Sequence, residues 1–276
     1  MRTELITIAT DTTPIDGAYY TPDSASASGG VLLMHGNTMN FYVGAPRFLP
    51  PYLTALGYAC LAFNRRGHDI LGSRDSRAAE GGAFQTAAEG IMDNDLAARW
   101  LAQQGFPKPI VIAHSNGGML GAQFAADHQE TRALVLLSAH GGGRDARRHT
   151  GKGSQFLARK QSEETLERAQ NLVVAGRGRE LLMVPGWWYV ISAESYVDRM
   201  LNCPDTVHNA SLIRCPSLFV RGDQESPEVY PAERFQELAG GPCDVAIIAD
   251  SNHFYVGQED AVAGIVADWL VRTLSS

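Results

Sequence analysis

The stretch Pro109-Ile110-Val111-Ile112-Ala113-His114-Ser115-Asn116-Gly117-Gly118 decides how this chain is organised. Ile110 to Ala113 is a short apolar run, mostly β-branched, which suits a buried strand. The pattern breaks at Ser115. From Asn116 to Asp127 the chain is rich in Ala, Met and Leu and suits a helix. A strand that turns straight into a helix brings backbone close to the residues two positions either side of the turn. Those positions hold Ala113 and Gly117, followed by Gly118. Side chains this small allow a turn sharp enough to leave the Ser115 hydroxyl exposed.

Working outward, strand and helix patterns alternate. Residues 4–9 and 15–20 predict two antiparallel strands joined by the turn Asp11-Thr12-Thr13-Pro14. Further strands are predicted at Val31–Met34, Ala59–Phe63, Ile110–Ala113, Ala133–Ser138, Ser217–Val220 and Asp244–Ala249. Helices are predicted at Pro46–Leu56, closed by Gly57, and at Thr86–Gln104, Asn116–Asp127 and Glu259–Leu274. Thr86 and Glu89 have capping-box spacing, Met92, Leu96 and Trp100 form an apolar stripe, and Gly105 and Pro107 end that helix. In the last helix Val262, Ile265, Val266, Trp269 and Leu270 follow helical spacing.

Short apolar strands alternating with helices imply an α/β architecture: a mostly parallel eight-stranded sheet with helices on both faces. Ligands bind such sheets at the carboxyl ends of the strands, here the loops after Phe63, Ser138, Val220 and Ala249. The alternation stops after Gly143 and resumes near Ser217. Residues 1–143 and 211–276 are therefore expected to form the core. Residues 144–210, mostly helical in pattern with Gly-rich breaks at 151–153 and 176–178, are expected to form a cap insertion.

Composition narrows the function classes. The chain has 276 residues, 45% of them apolar, and a net charge of −7. No basic surface dominates, which argues against nucleic acid as a partner. Cys60, Cys203, Cys215 and Cys243 lack metal-ligand spacing, and no metal or other cofactor is expected. The N-terminal residues lack the apolar run of a signal peptide, and no run of about 18 apolar residues could span a membrane. A soluble, cytoplasmic protein is the expectation, with oligomeric state left open.

A serine hydroxyl becomes a nucleophile only beside a base. His253 is the best candidate, lying between the last strand and the last helix. His114 adjoins Ser115 and cannot turn back towards it. His35 belongs to the turn His35-Gly36 and reads as structural. His68, His140, His149 and His208 fall in loops or the cap, and His128 ends a helix, where a positive charge suits the dipole. A carboxylate would orient His253 and stabilise its imidazolium. Asp223 is favoured because it directly follows its strand. Glu225 and Asp250 are its rivals, Asp250 also suiting a loop-shaping role.

The order Ser115, Asp223, His253, the strand–turn–helix around Ser115 and the strand Val31–Met34 ending in His35-Gly36-Asn37 together resemble the α/β-hydrolase superfamily. The resemblance, to capped esterase-like members, runs from about Leu5 to Leu274. Ala113 departs from the usual Gly-x-Ser-x-Gly pattern, which has glycine there. The resemblance implies a nucleophile elbow at Ser115 and an oxyanion hole made by the backbone N–H groups of Asn37 and Asn116. Asn64-Arg65-Arg66-Gly67-His68 is similar to an Arg-Gly-His turn of the superfamily and reads as structural.

The resemblance further implies a cofactor-independent serine hydrolase acting on a carboxylic ester or lactone of a small or medium organic molecule. Thioester, amide or carbon–carbon bond hydrolysis, a cofactor-free peroxidase reaction, and a hydrolase-like receptor with little turnover are the rivals. Two features of the insertion bear on the substrate. Trp187, Trp188 and Tyr189 are either cap core or the apolar wall of a binding pocket. Arg144, Arg147, Arg148, Lys152, Arg159 and Lys160 form either a solvated face or a site for an acidic substrate group.

Overall fold

The chain runs through β1 (Arg2–Ile8), β2 (Ile15–Thr21), β3 (Gly29–Met34), α1 (Ala45–Phe48), α2 (Pro50–Ala55), β4 (Tyr58–Phe63), α3 (Ala87–Gln103), β5 (Ile110–His114), α4 (Asn116–Asp127) and β6 (Ala133–Leu137). It continues through α5 (Ser162–Val174), β7 (Leu181–Met183), β8 (Val190–Ser192), α6 (Ala193–Leu201), α7 (Thr206–Ala210), β9 (Ser217–Gly222), α8 (Ala232–Leu238), β10 (Cys243–Ile248) and α9 (Glu259–Leu274). The computed structural model describes residues 1–23, 26–74, 77–143, 161–184 and 190–274. Trp187, Trp188, Tyr189 and the basic residues of 144–160 lie outside them.

Eight strands form one sheet in the order β1-β2-β4-β3-β5-β6-β9-β10. β1 and β2 are antiparallel to each other, and β2 is antiparallel to β4. The remaining pairs are parallel. β3, β4, β5 and β6 are buried along their whole length, as strands covered on both faces must be. Alternation in β5 assigns the layers. Val111 and Ala113 join the core with Leu101 of α3 and Phe124 of α4. Ile110 and Ile112 join the opposite core with Leu53 of α2 and Val266 and Trp269 of α9. The expected eight-stranded, mostly parallel α/β sheet with helices on both faces is present.

Three local expectations change. The helix expected over Pro46–Leu56 is two short ones, because Pro50 and Pro51 lack amide protons and suit the first turn of a new helix. In α3 the buried face is Gly90, Asp93, Asn94, Ala97 and Leu101. Leu96 and Trp100 are half-buried, and Met92 is exposed. The stripe reading missed this face because polar residues occupy it: Asp93 is buried by accepting from the backbone N–H and Nε of Arg66 at 2.7 and 2.8 Å. Where a mostly helical insertion was expected, the chain also carries the antiparallel hairpin β7–β8 between α5 and α6. The hairpin packs with α5 and α6 in a small core of its own, which includes Ala169, Leu182, Ile191, Tyr196 and Met200. α7 instead packs against α4 and α8. Among the described residues, no helix is long and apolar enough to cross a membrane.

Candidate active site

Ser115 stands between β5 and α4 with φ 58° and ψ −122°. This is the left-handed side of the map, costly for a residue with a Cβ. Close packing holds the conformation. A Cβ on Gly117 would lie 2.2 Å from the His35 carbonyl oxygen, and one on Gly118 would lie 2.5 Å from Cβ of Ala139. Only glycine lets α4 start this near the turn after β3. The Ser115 backbone is fixed on both sides: its N–H donates to the Leu137 carbonyl at 2.9 Å, and its carbonyl accepts from the His140 N–H at 3.1 Å.

The Ser115 hydroxyl faces the histidine expected for it. Oγ lies 2.9 Å from Nε2 of His253, and Nδ1 of the same ring lies 2.7 Å from Oε1 of Glu225. The carboxylate at this position is therefore that of Glu225, where Asp223 was expected. The pairing of β9 with β10 explains the difference. It continues one residue past the strand end, with the Asp223 N–H donating to the Ile248 carbonyl at 3.0 Å. This turns Asp223 towards the β10 side, where its carboxylate accepts from the N–H groups of Asp250 and Ser251 at 3.0 and 3.1 Å. Those two bonds hold the exposed Asp223 carboxyl below its usual range. Asp223 thus shapes the loop leading to His253, the role sequence reasoning gave to Asp250.

Glu225 is buried, and its second oxygen is fully engaged. Oε2 accepts from the Gly222 N–H at 2.8 Å and from Oγ of Ser138 at 2.5 Å. The Tyr255 hydroxyl lies 2.6 Å from Ser138 Oγ and 3.1 Å from the Val220 carbonyl oxygen. Burial, and then the Glu225 carboxylate, hold the Tyr255 phenol well above its usual value, so it acts as a neutral hydrogen-bonding group. Sequence reasoning missed Ser138 and Tyr255. The position of Ser138 at the carboxyl end of β6 was the available signal.

The remaining histidines near the site have other partners. His114 is buried beneath His253, and its Nε2 donates to the His253 carbonyl at 2.9 Å. Burial, and then the neighbouring His253, push the His114 imidazole down to about 3, so it is neutral. His35 is buried and accepts at Nε2 from the Arg65 N–H at 3.1 Å, while the Arg65 guanidinium donates to the His35 carbonyl at 2.7 Å. The Asn64–His68 turn is thereby tied to the turn carrying Asn37. Two aromatic rings flank His253: Tyr230 at 4.8 Å between centroids, and the exposed Phe254 at 5.0 Å.

The two amides expected to face an oxyanion lie beside Ser115. Asn116 is the first residue of α4, so its N–H has no acceptor within the helix. Asn37 follows Gly36, on which a Cβ would lie 3.1 Å from Cβ of Ser115. The side chain of Asn37 is held from α6, its Oδ1 accepting from Nη2 of Arg199 at 2.8 Å. Among the described residues, no group of three or more His, Cys, Asp or Glu could hold a metal ion.

The molecule is similar throughout its length to several solved structures. Est1E from Butyrivibrio proteoclasticus is 16% identical, with a TM-score of 0.72 and 99% of each chain covered. The dienelactone hydrolase from Anabaena variabilis is 16% identical, with a TM-score of 0.62 over 99% of this chain and 98% of that one. An esterase domain of a Rhodothermus marinus protein is 18% identical, with a TM-score of 0.65 over 99% of each chain. No curated protein matches the chain in sequence. The family model described as alpha/beta hydrolase fold matches residues 30–176, and with the sheet order and the Ser115 turn this makes the chain a member of the α/β-hydrolase fold family.

Proposed function

We propose that the chain is a serine hydrolase that cleaves a carboxylic ester or lactone of a small or medium organic molecule. The observation that carries this reading is the chain of hydrogen bonds from Ser115 through His253 to Glu225. In this mechanism His253 Nε2 takes the Ser115 proton as Oγ attacks the carbonyl carbon. Glu225 fixes the tautomer with the proton on Nδ1 and stabilises the imidazolium. The N–H groups of Asn37 and Asn116 donate to the oxyanion, and the α4 dipole adds to the effect of the second. Collapse of the tetrahedral intermediate expels the alcohol oxygen, which takes the proton from His253. Water, activated by the same ring, then releases the acid from Ser115. No step calls for a cofactor. The α5, β7–β8 and α6 unit serves as the cap over the strand ends, which favours a small substrate over a polymer.

A fluorophosphonate probe should label wild type at Ser115, and wild type should hydrolyse members of a panel of p-nitrophenyl esters and lactones. Ser115→Ala should lose the label and about a millionfold in kcat while keeping its circular dichroism spectrum. An unlabelled wild type with no turnover on the panel would leave a hydrolase-like shell that binds without catalysis.

A further inference from the structure

Among the described residues, three rings pack on the imidazole of His253. Tyr230 lies 4.8 Å away between centroids with 33° between the planes, His114 lies 4.9 Å away at 34°, and Phe254 lies 5.0 Å away at 74°. Rings as close and as near to parallel as the first two overlap face to face, because side by side their edges would collide. Phe254 meets the imidazole edge to face. The two hydrogen bonds of His253 fix Nε2 against Ser115 and Nδ1 against Glu225. They leave the imidazole free to tilt about the line through those nitrogens, and the flat neighbours limit that tilt.

Tyr230 is itself held in place. Its N–H donates to the Ser226 carbonyl at 3.0 Å, and its carbonyl accepts at 2.9 Å from the N–H of Ala232, the first residue of α8. The preceding Val229 is buried, and its carbonyl accepts from the Gly141 N–H at 2.9 Å. His140 meets the Tyr230 ring edge-on, 6.1 Å between centroids at 89°, while its own N–H donates to the Ser115 carbonyl at 3.1 Å. The tyrosine is thus tied to the turns that carry Ser115 and Glu225.

Charge gives the ring a second effect. Among the described residues, the groups packed on the imidazole are Glu225 and Tyr230 from the segment after β9, Ser115 and His114 from the end of β5 and its turn, and Phe254. Burial, and then the Glu225 carboxylate, hold the Tyr230 phenol well above its usual value, so this ring is neutral. His114, pushed down to about 3, is neutral as well. Attack by Ser115 turns His253 into an imidazolium. The negative face of a neutral tyrosine attracts a cation at this distance.

We propose that Tyr230 is a positioning residue for the general base: its ring face sets the tilt of the His253 imidazole and stabilises the imidazolium formed when Ser115 gives up its proton. The inference rests on the serine-hydrolase reading.

The test is the pH profile of kcat/KM on the p-nitrophenyl ester that wild type turns over best. Protonated His253 cannot take the Ser115 proton, so activity falls on the acid side. Because the ring face favours the cation, removing it should move this acid limb to lower pH, by about half a unit to one unit. Tyr230→Leu keeps apolar bulk without a π face and should show that shift, with kcat about tenfold lower and KM little changed. Tyr230→Phe keeps the face and should return the limb to its wild-type position. An enzyme with 3,4,5-trifluorophenylalanine at residue 230 keeps the packing of the Phe enzyme while fluorine withdraws charge from the face. Its limb should move part of the way that Leu moves it, a shift that a tyrosine acting through packing alone would not produce. If Tyr230→Leu fails to fold, the two ring variants carry the test by themselves. A limb that the trifluoro ring leaves where phenylalanine puts it overturns the proposal, as does a limb that moves to higher pH. Fluorophosphonate labelling of Ser115 reads the underlying hydrolase reading separately: a labelled enzyme whose limb ignores the ring at residue 230 retains the mechanism and loses only the role of Tyr230.

Discussion

The turns after β5 and after β9 both end parallel strands of one sheet, and both deliver a side chain to the same hydrogen-bond chain, by different physical means. After β5 the backbone goes straight from strand to helix, with Ser115 at φ 58° and Gly117 pressed on the His35 carbonyl. Its geometry is set by steric exclusion, which permits one arrangement. After β9 the ladder to β10 continues to Asp223, the Glu225 N–H donates to the Gly222 carbonyl at 3.3 Å, and the Glu225 carboxylate reaches back to His253. Here the geometry is set by attraction. Several carboxylates stand within reach of His253 in the sequence, and the one that arrives is chosen by donors on other strands. A position held by exclusion should fail when volume is added. A position held by attraction should fail when charge or a donor is removed.

Among substitutions that leave the nucleophile in place, the largest effect should come from the second turn. Glu225→Gln keeps shape but no longer enforces the His253 tautomer, and should cut kcat about ten-thousandfold. Asp223→Asn keeps a hydrogen-bond acceptor for the loop amides and should leave kcat within about tenfold of wild type, since replacing an acceptor at an exposed site disturbs little beyond one bond. Steady-state kinetics on one ester decides the ranking. A larger loss at Asp223 would return the orienting role to it.

The first turn should break through stability. Gly117→Ala places a methyl group 2.2 Å from the His35 carbonyl oxygen and 2.9 Å from that of Met34, both backbone atoms that cannot rotate away. The cost should be about 1–3 kcal/mol in denaturant unfolding, with activity lost beyond what unfolding explains because the Asn37 turn is pushed away from Ser115. An unperturbed Gly117→Ala enzyme would show that the turn has slack and that close packing does not enforce the Ser115 conformation.

The same contrast explains what was legible in the sequence. The Ser115 turn is a matter of small residues within ten positions, and Ala113, Gly117 and Gly118 announce it. His253 is legible from its place between the last strand and the last helix. The acid is not, because the choice among Asp223, Glu225 and Asp250 depends on β9 pairing with β10 and on Ser138 and Tyr255, which come from distant parts of the chain. The face of α3 was misread for a related reason: periodicity assumes that polar residues face water, whereas Asp93 is buried against an arginine from the turn after β4. The hairpin β7–β8 has strands of three residues each, too short for any periodicity to register.

The smallest effect concerns Asp223 and pH. Its carboxyl is held below the usual carboxylate range by the Asp250 N–H and then the Ser251 N–H. A depressed folded-state pKa means that near neutral pH the folded state holds the charged group better than the unfolded chain does. The stabilisation is fully present above the unfolded value of about 3.9, and it is lost as pH falls through the lower folded value. The side chain is exposed, so the contribution is small and screened by salt. Asp223→Asn should therefore melt slightly below wild type at pH 7, and the gap should close as pH falls below about 4, where wild type loses the same charge. Thermal melts of both proteins at matched ionic strength check this. A gap that persists unchanged in acid would mean that Asp223 shapes the loop through its size and not through its charge, and the contrast between a packed turn and an electrostatic one would then hold for Glu225 alone.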